Sequence, residues 1–396
     1  MQFTDFSRLD LKRLPTPCFV VDEVAVERNL QILQDVSQRS GAKVLQALKA
    51  FSMFSLAPLS RRYLSGTCAS GLHEARLAQN YYGGEIHVFS AAFCESDLRQ
   101  LLVFSDHVVF NSVSQLLRFE SLCKQAQKAR PGLRFGLRIN PQHSEGTTPL
   151  YDPCAPGSRL GVTRAQLDNA MEDAKFRRAF DLVSGLHFHT LCEQLFEPLA
   201  RTLTAVTEQF GHLFEILEWI NFGGGHHISQ PEYEVDRLVQ CIRTFSLEHD
   251  LQVYLEPGEA VALGTGVLVS EVLDVVEGEP KKLILDTSAT CHMPDTLEMP
   301  YRADIQGAGT AGEKAFTYSL GGLTCLAGDV MGGYSFDAPV TVGQRLVFED
   351  MAHYTMVKSS TFNGTRLPAI AIWNSDTNAL RVVKEFDYDD FESRLS

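Results

Sequence analysis

The sequence is short of positive charge. Its 396 residues include 35 Lys and Arg against 49 Asp and Glu, which gives a formal net charge of −14 at pH 7. Binding to a phosphate backbone needs clustered Lys and Arg, so this balance argues against a nucleic-acid surface. A cationic ligand suits such a chain better.

Other features are missing as well. The nine cysteines form no C-x-x-C pair, and residues 1–6 lack the basic and apolar regions of a signal peptide. No apolar run reaches the roughly 18 residues that span a bilayer. We therefore expect reduced thiols, no membrane segment, no secretory leader and a cytoplasmic location. The length and the 44% apolar content are sufficient for two domains.

Short apolar runs alternate with longer amphipathic segments, a pattern typical of βα units. Helices are predicted, for example, at 72–82, 113–129 and 233–249. Eight strands alternating with helices close most naturally into a TIM-like (β/α)₈ barrel, which we place at residues 18–258. The predicted strands lie at 44–48, 66–69, 86–90, 107–110, 134–140, 183–189, 218–222 and 251–256.

The pattern changes after residue 258. Apolar runs at 267–276, 281–285, 345–348 and 369–372 indicate strands with few helices between them. A second, C-terminal β-rich domain over 259–396 is the simplest interpretation. Residues 1–17 are predicted to join it, because the first helix of the barrel starts only after Asp22.

Chemically capable residues fall at the predicted strand ends. Lys49 ends the first strand, His189 the sixth and Glu256 the eighth, while Gly223–Gly225 follow the seventh. Active sites of this fold lie at the C-terminal ends of the strands, so these residues are predicted to share one rim. Apolar neighbours on both sides of Lys49 predict an amine held where water is scarce, which favours its neutral, nucleophilic form.

Each motif also has an ordinary structural interpretation. A strand-end lysine often reaches the surface, a glycine triplet is usually a turn, and Glu-Pro-Gly often ends a strand. His187 and His189 share a strand face, where a histidine pair more often belongs to the core or binds metal. Cys325 could equally be an inert buried thiol.

The order of the motifs resembles a known family. Lys49, His189, the glycine triplet and Glu256 are followed by a Cys325–Asp329 segment, by His353-Tyr354 and by Ser360–Gly364. This arrangement is similar to that of the fold-type III pyridoxal-phosphate decarboxylases, which include ornithine and diaminopimelate decarboxylases. The resemblance covers almost the whole chain. It implies pyridoxal 5'-phosphate as cofactor and a homodimer with two active sites at the interface.

The resemblance also implies residue roles. Lys49 would carry the cofactor covalently, His189 would stack on its ring, and Glu256 would face the pyridine nitrogen. The phosphate would be held by Gly223, Gly224 and Gly225 with Cys192, and Tyr354 would lie near it. Cys325 and Asp329 would enter the neighbouring subunit's site, where Cys325 is the candidate proton donor because thiols titrate near working pH.

Longer strings resemble a subgroup of this family that decarboxylates carboxylated polyamines. They are residues 150–161, which include Arg159, and residues 289–302, which include Asp295. Glu259 departs from the arginine that amino-acid decarboxylases of the family commonly carry after Glu-Pro-Gly. The resemblance assigns Glu259 and Asp295 to substrate ammonium groups, and Arg159 and Asp329 are further candidates for substrate binding. The expected substrates are carboxynorspermidine and carboxyspermidine, and the expected products are norspermidine and spermidine.

Three alternatives stay open. The first is a diaminopimelate or other basic amino-acid decarboxylase of the same family. The second is a metal-dependent barrel hydrolase that uses His187, His189, His226 and His227, although we expect no metal. The third is a non-catalytic relative that binds a ligand.

Overall fold

The computed structural model describes residues 4–146 and 148–396. The chain divides into two compact units. The barrel unit contains Asn29–Val261, and the sheet unit joins the N-terminal residues up to Arg28 with Ala262–Ser396. In the described part of the chain, every helix is too short or too polar to cross a lipid bilayer.

The strands, in chain order, are β1 (Cys18–Asp22), β2 (Lys43–Ala47), β3 (Gly66–Ala69), β4 (Glu85–Phe89), β5 (His107–Phe110), β6 (Arg134–Arg138), β7 (Val183–His187), β8 (Trp219–Asn221), β9 (Gln252–Leu255), β10 (Gly266–Val276), β11 (Lys281–Leu285), β12 (Gly309–Thr310), β13 (Phe316–Gly321), β14 (Val330–Phe336), β15 (Arg345–Phe348), β16 (Ala369–Asn374) and β17 (Ala379–Lys384).

The α-helices are α1 (Glu23–Ser40), α2 (Ala57–Tyr63), α3 (Leu72–Leu77), α4 (Glu95–Phe104), α5 (Val113–Ala129), α6 (Arg164–Met171), α7 (Ala174–Phe180), α8 (Phe196–Phe210), α9 (Val235–His249), α10 (Glu259–Ala262), α11 (Ala289–His292), α12 (Asp295–Glu298) and α13 (Tyr388–Glu392). A π-helix (Ala78–Tyr82) extends α3, and short 3₁₀ segments lie at Leu11–Arg13, Phe54–Leu56, Pro149–Tyr151, Gly211–Ile216 and Phe362–Gly364.

Strands β2 to β9 form a closed barrel in which each strand pairs in parallel with the next and β9 pairs with β2. The indole of Trp219 fills part of its interior. Side chains at Gly136 and Gly185 would place a Cβ 2.4 Å and 2.0 Å from that ring, so glycine is required at both positions. The eight predicted strands match β2 to β9 to within a few residues, and the predicted barrel is confirmed.

The sheet unit is built on a nine-stranded mixed sheet of order β12-β14-β13-β11-β10-β1-β16-β17, with β15 also paired to β10. Strand β1 lies inside it, antiparallel to β10 and parallel to β16. The predicted boundary at residue 18 therefore differs from the structure, because Cys18–Asp22 belongs to the sheet. These five residues are all buried, so they lack the alternation that marks a half-exposed strand.

Both faces of the sheet are covered. Phe19 and Leu268 pack into one apolar cluster with Leu283 and Tyr334. Residues adjacent to them in sequence, Cys18, Val20, Val267 and Val269, pack into a second cluster with Trp373. Neighbouring side chains of a strand point to opposite faces, which explains the division. The prediction that the C-terminal domain is rich in β-strands is confirmed.

Candidate active site

The C-terminal ends of the barrel strands bring polar side chains into one row. The pairing register sets Arg138 of β6 opposite His187 of β7, and His187 opposite Asn221 of β8. Glu256 follows directly on β9. Because parallel strands end at one edge, these side chains surround the same mouth of the barrel.

Lys49 lies in the turn after β2. The turn is anchored beside the other strand ends: the Ala47 N–H donates to the Pro257 carbonyl at 2.9 Å, and the Leu48 N–H donates to the Cys68 carbonyl at 3.1 Å. Lys49 itself is exposed, whereas Leu48, Ala50 and Phe51 are buried. The expectation of a buried amine was wrong, because apolar neighbours in a turn do not enclose the residue between them.

The Glu-Pro-Gly segment packs against this turn. A Cβ at Gly258 would lie 2.6 Å from the Cβ of Ala50, so a larger residue would push the Lys49 turn away. The Glu256 N–H donates to the Gly223 carbonyl at 2.8 Å. Three of the four motifs predicted to share a rim are thus in direct backbone contact.

Polar neighbours hold Glu256 as a carboxylate. The Asn221 side chain donates to its Oε1 at 2.7 Å, and the Nε2 of His187 lies 3.3 Å from its Oε2. Burial raises the pKa of Glu256, but the influence of His187, of His87 and of the Asn221 hydrogen bond outweighs burial and lowers it. Burial has the opposite effect on a histidine and lowers the pKa of His187. The side chain is therefore a partly buried anion at neutral pH.

His189 is a neutral, oriented ring. Burial, followed by the positive charges of Lys49 and Arg138, keeps its pKa well below the ordinary value. The Gly224 N–H donates to its Nδ1 at 3.0 Å, so the proton of the neutral ring sits on Nε2. The effect of the Lys49 charge on the pKa of His189 indicates that the two residues are electrostatic neighbours.

The glycine triplet is required by close packing. A Cβ at Gly223 would meet the Phe188 carbonyl oxygen at 2.4 Å, and a Cβ at Gly225 would meet the Leu191 carbonyl oxygen at 2.0 Å. Gly223 and Gly225 also have φ values of 72° and 83°. The N–H of Gly223 donates to Asn221 Oδ1 at 2.8 Å, and that of Gly224 donates to His189. These two N–H groups therefore hold the site residues, and the predicted phosphate role of the triplet stays a prediction.

Arg138, which the sequence reasoning missed, is buried at the same mouth. Its Nη2 donates to the His189 carbonyl at 3.2 Å, and its guanidinium lies 4.5 Å from the Phe89 ring centroid. Burial lowers the pKa of Arg138 to about 10, so it keeps its charge at neutral pH. The available signal was the alternation of β6, which sets Arg134, Gly136 and Arg138 on one face.

Glu259 and Cys192 are close electrostatic neighbours in the barrel unit. Glu259 Oε2 lies 3.1 Å from Nε2 of His227, and only about a tenth of each side chain is exposed. Burial and then the charges of Glu193 and Glu259 raise the pKa of Cys192 to about 11, which keeps its thiol protonated. Sequence reasoning did not anticipate the contact of Glu259 with His227.

Arg159 lies in the same unit and is exposed. Its carbonyl accepts a hydrogen bond from the Asn111 side chain at 2.9 Å, which fixes the loop that carries it. Its charge lowers the pKa of Arg138, although less than burial does. Arg159 therefore approaches the mouth of the barrel, and its substrate role stays a prediction.

The remaining predicted site residues lie in the sheet unit. Cys325 is exposed, and its Sγ lies 3.1 Å from Asn363 Oδ1. Asp329 is buried, and its carboxylate accepts hydrogen bonds from Ser288, Thr290 and Thr324. Asp329 thus fixes the loop around Cys325, and this buried position does not favour its predicted contact with substrate.

Asp295 begins α12 and already binds an ammonium group. It forms an ion pair with Lys358, whose Nζ also lies 2.9 Å from Glu298 Oε2. Burial opposes the charge of Lys358, but the hydrogen bonds to these two carboxylates raise its pKa. Tyr354 is half-buried and has a left-handed backbone with φ 43°. Its predicted place near a phosphate stays a prediction.

The four histidines of the metal-hydrolase alternative lie beside different neighbours. His187 lies beside Glu256, His189 accepts from Gly224, His226 bonds to Tyr233 at 2.6 Å, and His227 pairs with Glu259. Among the described residues, the potential metal ligands that converge are Glu85, His87 and His107, at the opposite end of the barrel. There the carboxylate of Glu85 is already paired with Lys43.

The mouth of the barrel fits a pyridoxal ring. An anionic Glu256 suits the protonated nitrogen of a pyridine, and the neutral imidazole of His189 offers a ring face for stacking. Lys49, the only member of this group with an amine, is accessible from solvent. Carboxylate, imidazole and amine are the three functional groups that such a cofactor needs from the protein.

Comparison with known proteins identifies the family. Residues 18–352 match the family described as pyridoxal-dependent decarboxylase, C-terminal sheet domain. The chain belongs to this family. This decarboxylase is 40% identical over 394 residues to carboxynorspermidine/carboxyspermidine decarboxylase of Campylobacter jejuni subsp. jejuni, which covers 97% of this chain and 99% of the relative. It is 41% identical over 388 residues to carboxyaminopropylagmatine decarboxylase of a Synechocystis species, with 97% and 96% covered.

A solved structure agrees with these relatives. The crystal structure of carboxynorspermidine decarboxylase complexed with norspermidine, from Campylobacter jejuni, is similar to this chain with a TM-score of 0.86. The two are 39% identical, and the match covers 96% of this chain and all of the other. The similarity therefore extends over both units of this decarboxylase.

Proposed function

We propose that this decarboxylase uses pyridoxal 5'-phosphate to convert carboxynorspermidine and carboxyspermidine to norspermidine and spermidine. The observation that carries the proposal is the contact of the Lys49 turn with the Glu256 segment, which packs the backbone that carries an accessible amine against the backbone that carries a fixed carboxylate. Two features support the choice of substrate. They are the near full-length similarity to decarboxylases of carboxylated polyamines and the acidic residue at position 259.

Each site residue has a defined task in this proposal. Lys49 would hold the cofactor through its amine, Glu256 would keep the ring nitrogen protonated, and His189 would stack on the ring. The bound cofactor supplies an electron sink for the bond that breaks when CO₂ leaves. Cys325 would then donate the proton of its Sγ to the carbon that has lost CO₂, and water would restore the thiol proton.

Acidic side chains would select the substrate. Carboxylated polyamines carry several ammonium groups, whereas diaminopimelate carries a second carboxylate that Glu259 would repel. Asp295 and Glu298 already bind the ammonium group of Lys358. A substrate ammonium would replace Lys358 at this pair, because both cations offer the same N–H donors.

We also propose a homodimer that completes its sites across the interface. Side chains of Leu323, Leu326, Val330 and Phe362, which lie around Cys325, are apolar yet between 43% and 48% exposed. A second copy of the chain would bury them. Mixing inactive Lys49→Ala subunits with slow Cys325→Ala subunits should restore activity in heterodimers. No recovery after verified subunit exchange would contradict the shared site.

The cytoplasmic location remains part of the proposal. All nine cysteines lie in the described residues and are free thiols there. Free thiols are usual in a reducing compartment. Fractionation of the source cells with an antibody to the protein would test this location.

A competition assay tests the substrate. Carboxynorspermidine, carboxyspermidine, carboxyaminopropylagmatine, diaminopimelate and ornithine are supplied at equal concentration, and their products are separated. We expect the first two to be preferred over the amino acids by several orders of magnitude in kcat/KM. Comparable rates with diaminopimelate or ornithine would refute the assignment.

Carboxyaminopropylagmatine is the second candidate because the Synechocystis relative is as similar as the Campylobacter one. Agmatine ends in a guanidinium group, which two carboxylates can bind as well as they bind an ammonium group. If the enzyme prefers this compound, the proposed cofactor chemistry stands and carboxyaminopropylagmatine replaces the carboxylated polyamines as the assigned substrate.

A further inference from the structure

Asn363 contacts the thiol that the proposed function uses as proton donor. The Sγ of Cys325 lies 3.1 Å from Asn363 Oδ1, and the backbone N–H of Cys325 approaches the same oxygen at 3.4 Å. Both residues belong to the sheet unit, 38 positions apart in sequence. Asn363 lies within the Ser360–Gly364 segment, to which neither the fold nor the cofactor chemistry above assigns a task.

The contact defines which atom carries the proton. The side-chain oxygen and nitrogen of an asparagine are difficult to tell apart, but a backbone N–H can only meet an acceptor. The N–H of Cys325 therefore fixes Oδ1, and not Nδ2, toward the cysteine. An amide oxygen cannot donate, so the Cys325 S–H must donate to it.

The backbone on each side holds this geometry. Asn363 has a left-handed conformation with φ 61° and ψ 15°, which asparagine tolerates better than most residues. The N–H groups of Gly364 and Thr365 close turns on Thr361 and Phe362, both at 3.1 Å. Thr324, next to the cysteine, is bound to the buried Asp329 through its N–H at 3.3 Å and its hydroxyl at 2.6 Å.

We propose that Asn363 is a positioning residue that gives the S–H of Cys325 its acceptor and fixes the direction of that thiol. The role of this contact in proton donation rests on the proposed function, whereas the contact itself is present in the structure. Loss of the amide would release the thiol in two ways. Its direction would vary, and its deprotonated form would no longer face an amide oxygen.

Alkylation of the holoenzyme tests the contact without turnover. Iodoacetamide is added at a fixed pH, and modification of Cys325 is followed by peptide mass spectrometry. The exposed thiol of Cys94, in the barrel unit, is the internal control. Asn363→Gly removes the amide while tolerating φ 61°. It should speed alkylation of Cys325 by about 2- to 10-fold, the range for one lost hydrogen bond, and leave Cys94 unchanged.

Asn363→Asp separates positioning from disruption. Aspartate keeps the acceptor and the left-handed backbone, and its negative charge disfavours the thiolate, so alkylation should be slower than in the wild type. Local disruption would instead speed alkylation in both variants. An unchanged rate in Asn363→Gly, or faster alkylation in both variants, would overturn the proposal.

Turnover gives the second readout. Asn363→Gly should lower kcat by about 10- to 100-fold at unchanged KM, because a misdirected proton donor affects the chemical step. In a Cys325→Ala background the same substitution should change kcat no further, because it acts through the thiol. An equal additional loss in that background would overturn the proposal. If the wild type decarboxylates none of the polyamines, the proposed function fails, and the alkylation result still decides the contact.

Discussion

Each end of the barrel holds a lysine, a glutamate and a pair of histidines, but among the described residues the lysine pairs with the glutamate at the N-terminal end and not at the C-terminal end. At the N-terminal end, Lys43 pairs with Glu85, whose Oε2 lies 3.0 Å from His87 Nε2. The rings of His87 and His107 stack with centroids 3.8 Å apart. Every charge in this set has a neighbour of the opposite sign, and the set fits a structural role.

The C-terminal end keeps its lysine apart. Glu256 is bound by Asn221 and lies beside His187, while His189 is held by a backbone N–H. Lys49 is exposed and, within the residues the structure describes, forms no ion pair. The same residue types thus stabilise one end and leave an amine available for chemistry at the other. Position on the strand decides which of these applies.

The lysines give the largest expected contrast. Lys49→Ala should reduce decarboxylation to background, because the proposed function gives the Lys49 amine the task of holding the cofactor. Lys43→Ala should retain turnover within about tenfold and lose stability instead. Rates with saturating substrate and the midpoint of urea unfolding, measured on both variants, check the contrast. Loss of activity in Lys43→Ala with full activity in Lys49→Ala would contradict these assignments.

The glutamates give the next contrast. Glu256→Gln should lower kcat by about 10²-fold or more while cofactor binding changes little, since the lost charge acts on the reacting ring. Glu85→Gln should cost about 1 to 3 kcal/mol of unfolding free energy and spare kcat. Steady-state kinetics and denaturant unfolding separate the two. Equal effects on kcat would show that the ends are not functionally distinct.

Glu259 extends the comparison to the substrate. Glu259→Gln should raise KM for carboxynorspermidine by about 10- to 100-fold with little change in kcat, because its contact is made equally before and during reaction. The exposed Glu232 gives a matched control, Glu232→Gln. A fall in kcat at constant KM would assign Glu259 to the chemical step.

His107 gives the smallest expected effect. Burial and the charge of His87 lower the pKa of His107 from its ordinary 6.5 to about 2. Below pH 6.5 the unfolded chain therefore binds a proton that the folded chain refuses, and stability falls as pH falls. His107→Phe should reduce this slope by up to about 1.4 kcal/mol per pH unit between pH 6 and 5. Unfolding measured across that range checks it, with exposed His73→Gln as control, and an unchanged slope in His107→Phe would contradict it.

The barrel and its rim could be predicted because strand period and strand-end position are local features of the sequence. β10, β11, β15 and β16 were predicted for the same reason. β13 and β14 were missed, since Gly321, Gly332 and Gly333 interrupt their apolar pattern. β12, of two residues, is too short to leave a pattern.

Site details that depend on three-dimensional neighbours could not be predicted. The exposure of Lys49, the donors on Glu256 and the pairing of Glu259 with His227 follow from how separate strand ends meet. The sequence also did not show that close packing requires glycine in the triplet, or that the N–H groups of Gly223 and Gly224 are bound by Asn221 and His189. The type and order of the residues indicated a pyridoxal-phosphate site, whereas the arrangement of the side chains in that site depends on contacts between distant parts of the chain.

Borohydride reduction followed by peptide mapping identifies the lysine that carries the cofactor. Reduction fixes pyridoxal phosphate to the lysine that carries it, and Lys49 and Lys43 fall on peptides that a suitable protease separates. We expect the label on Lys49 and loss of the visible absorption band on reduction. A label on Lys43, or on any lysine other than Lys49, would contradict it.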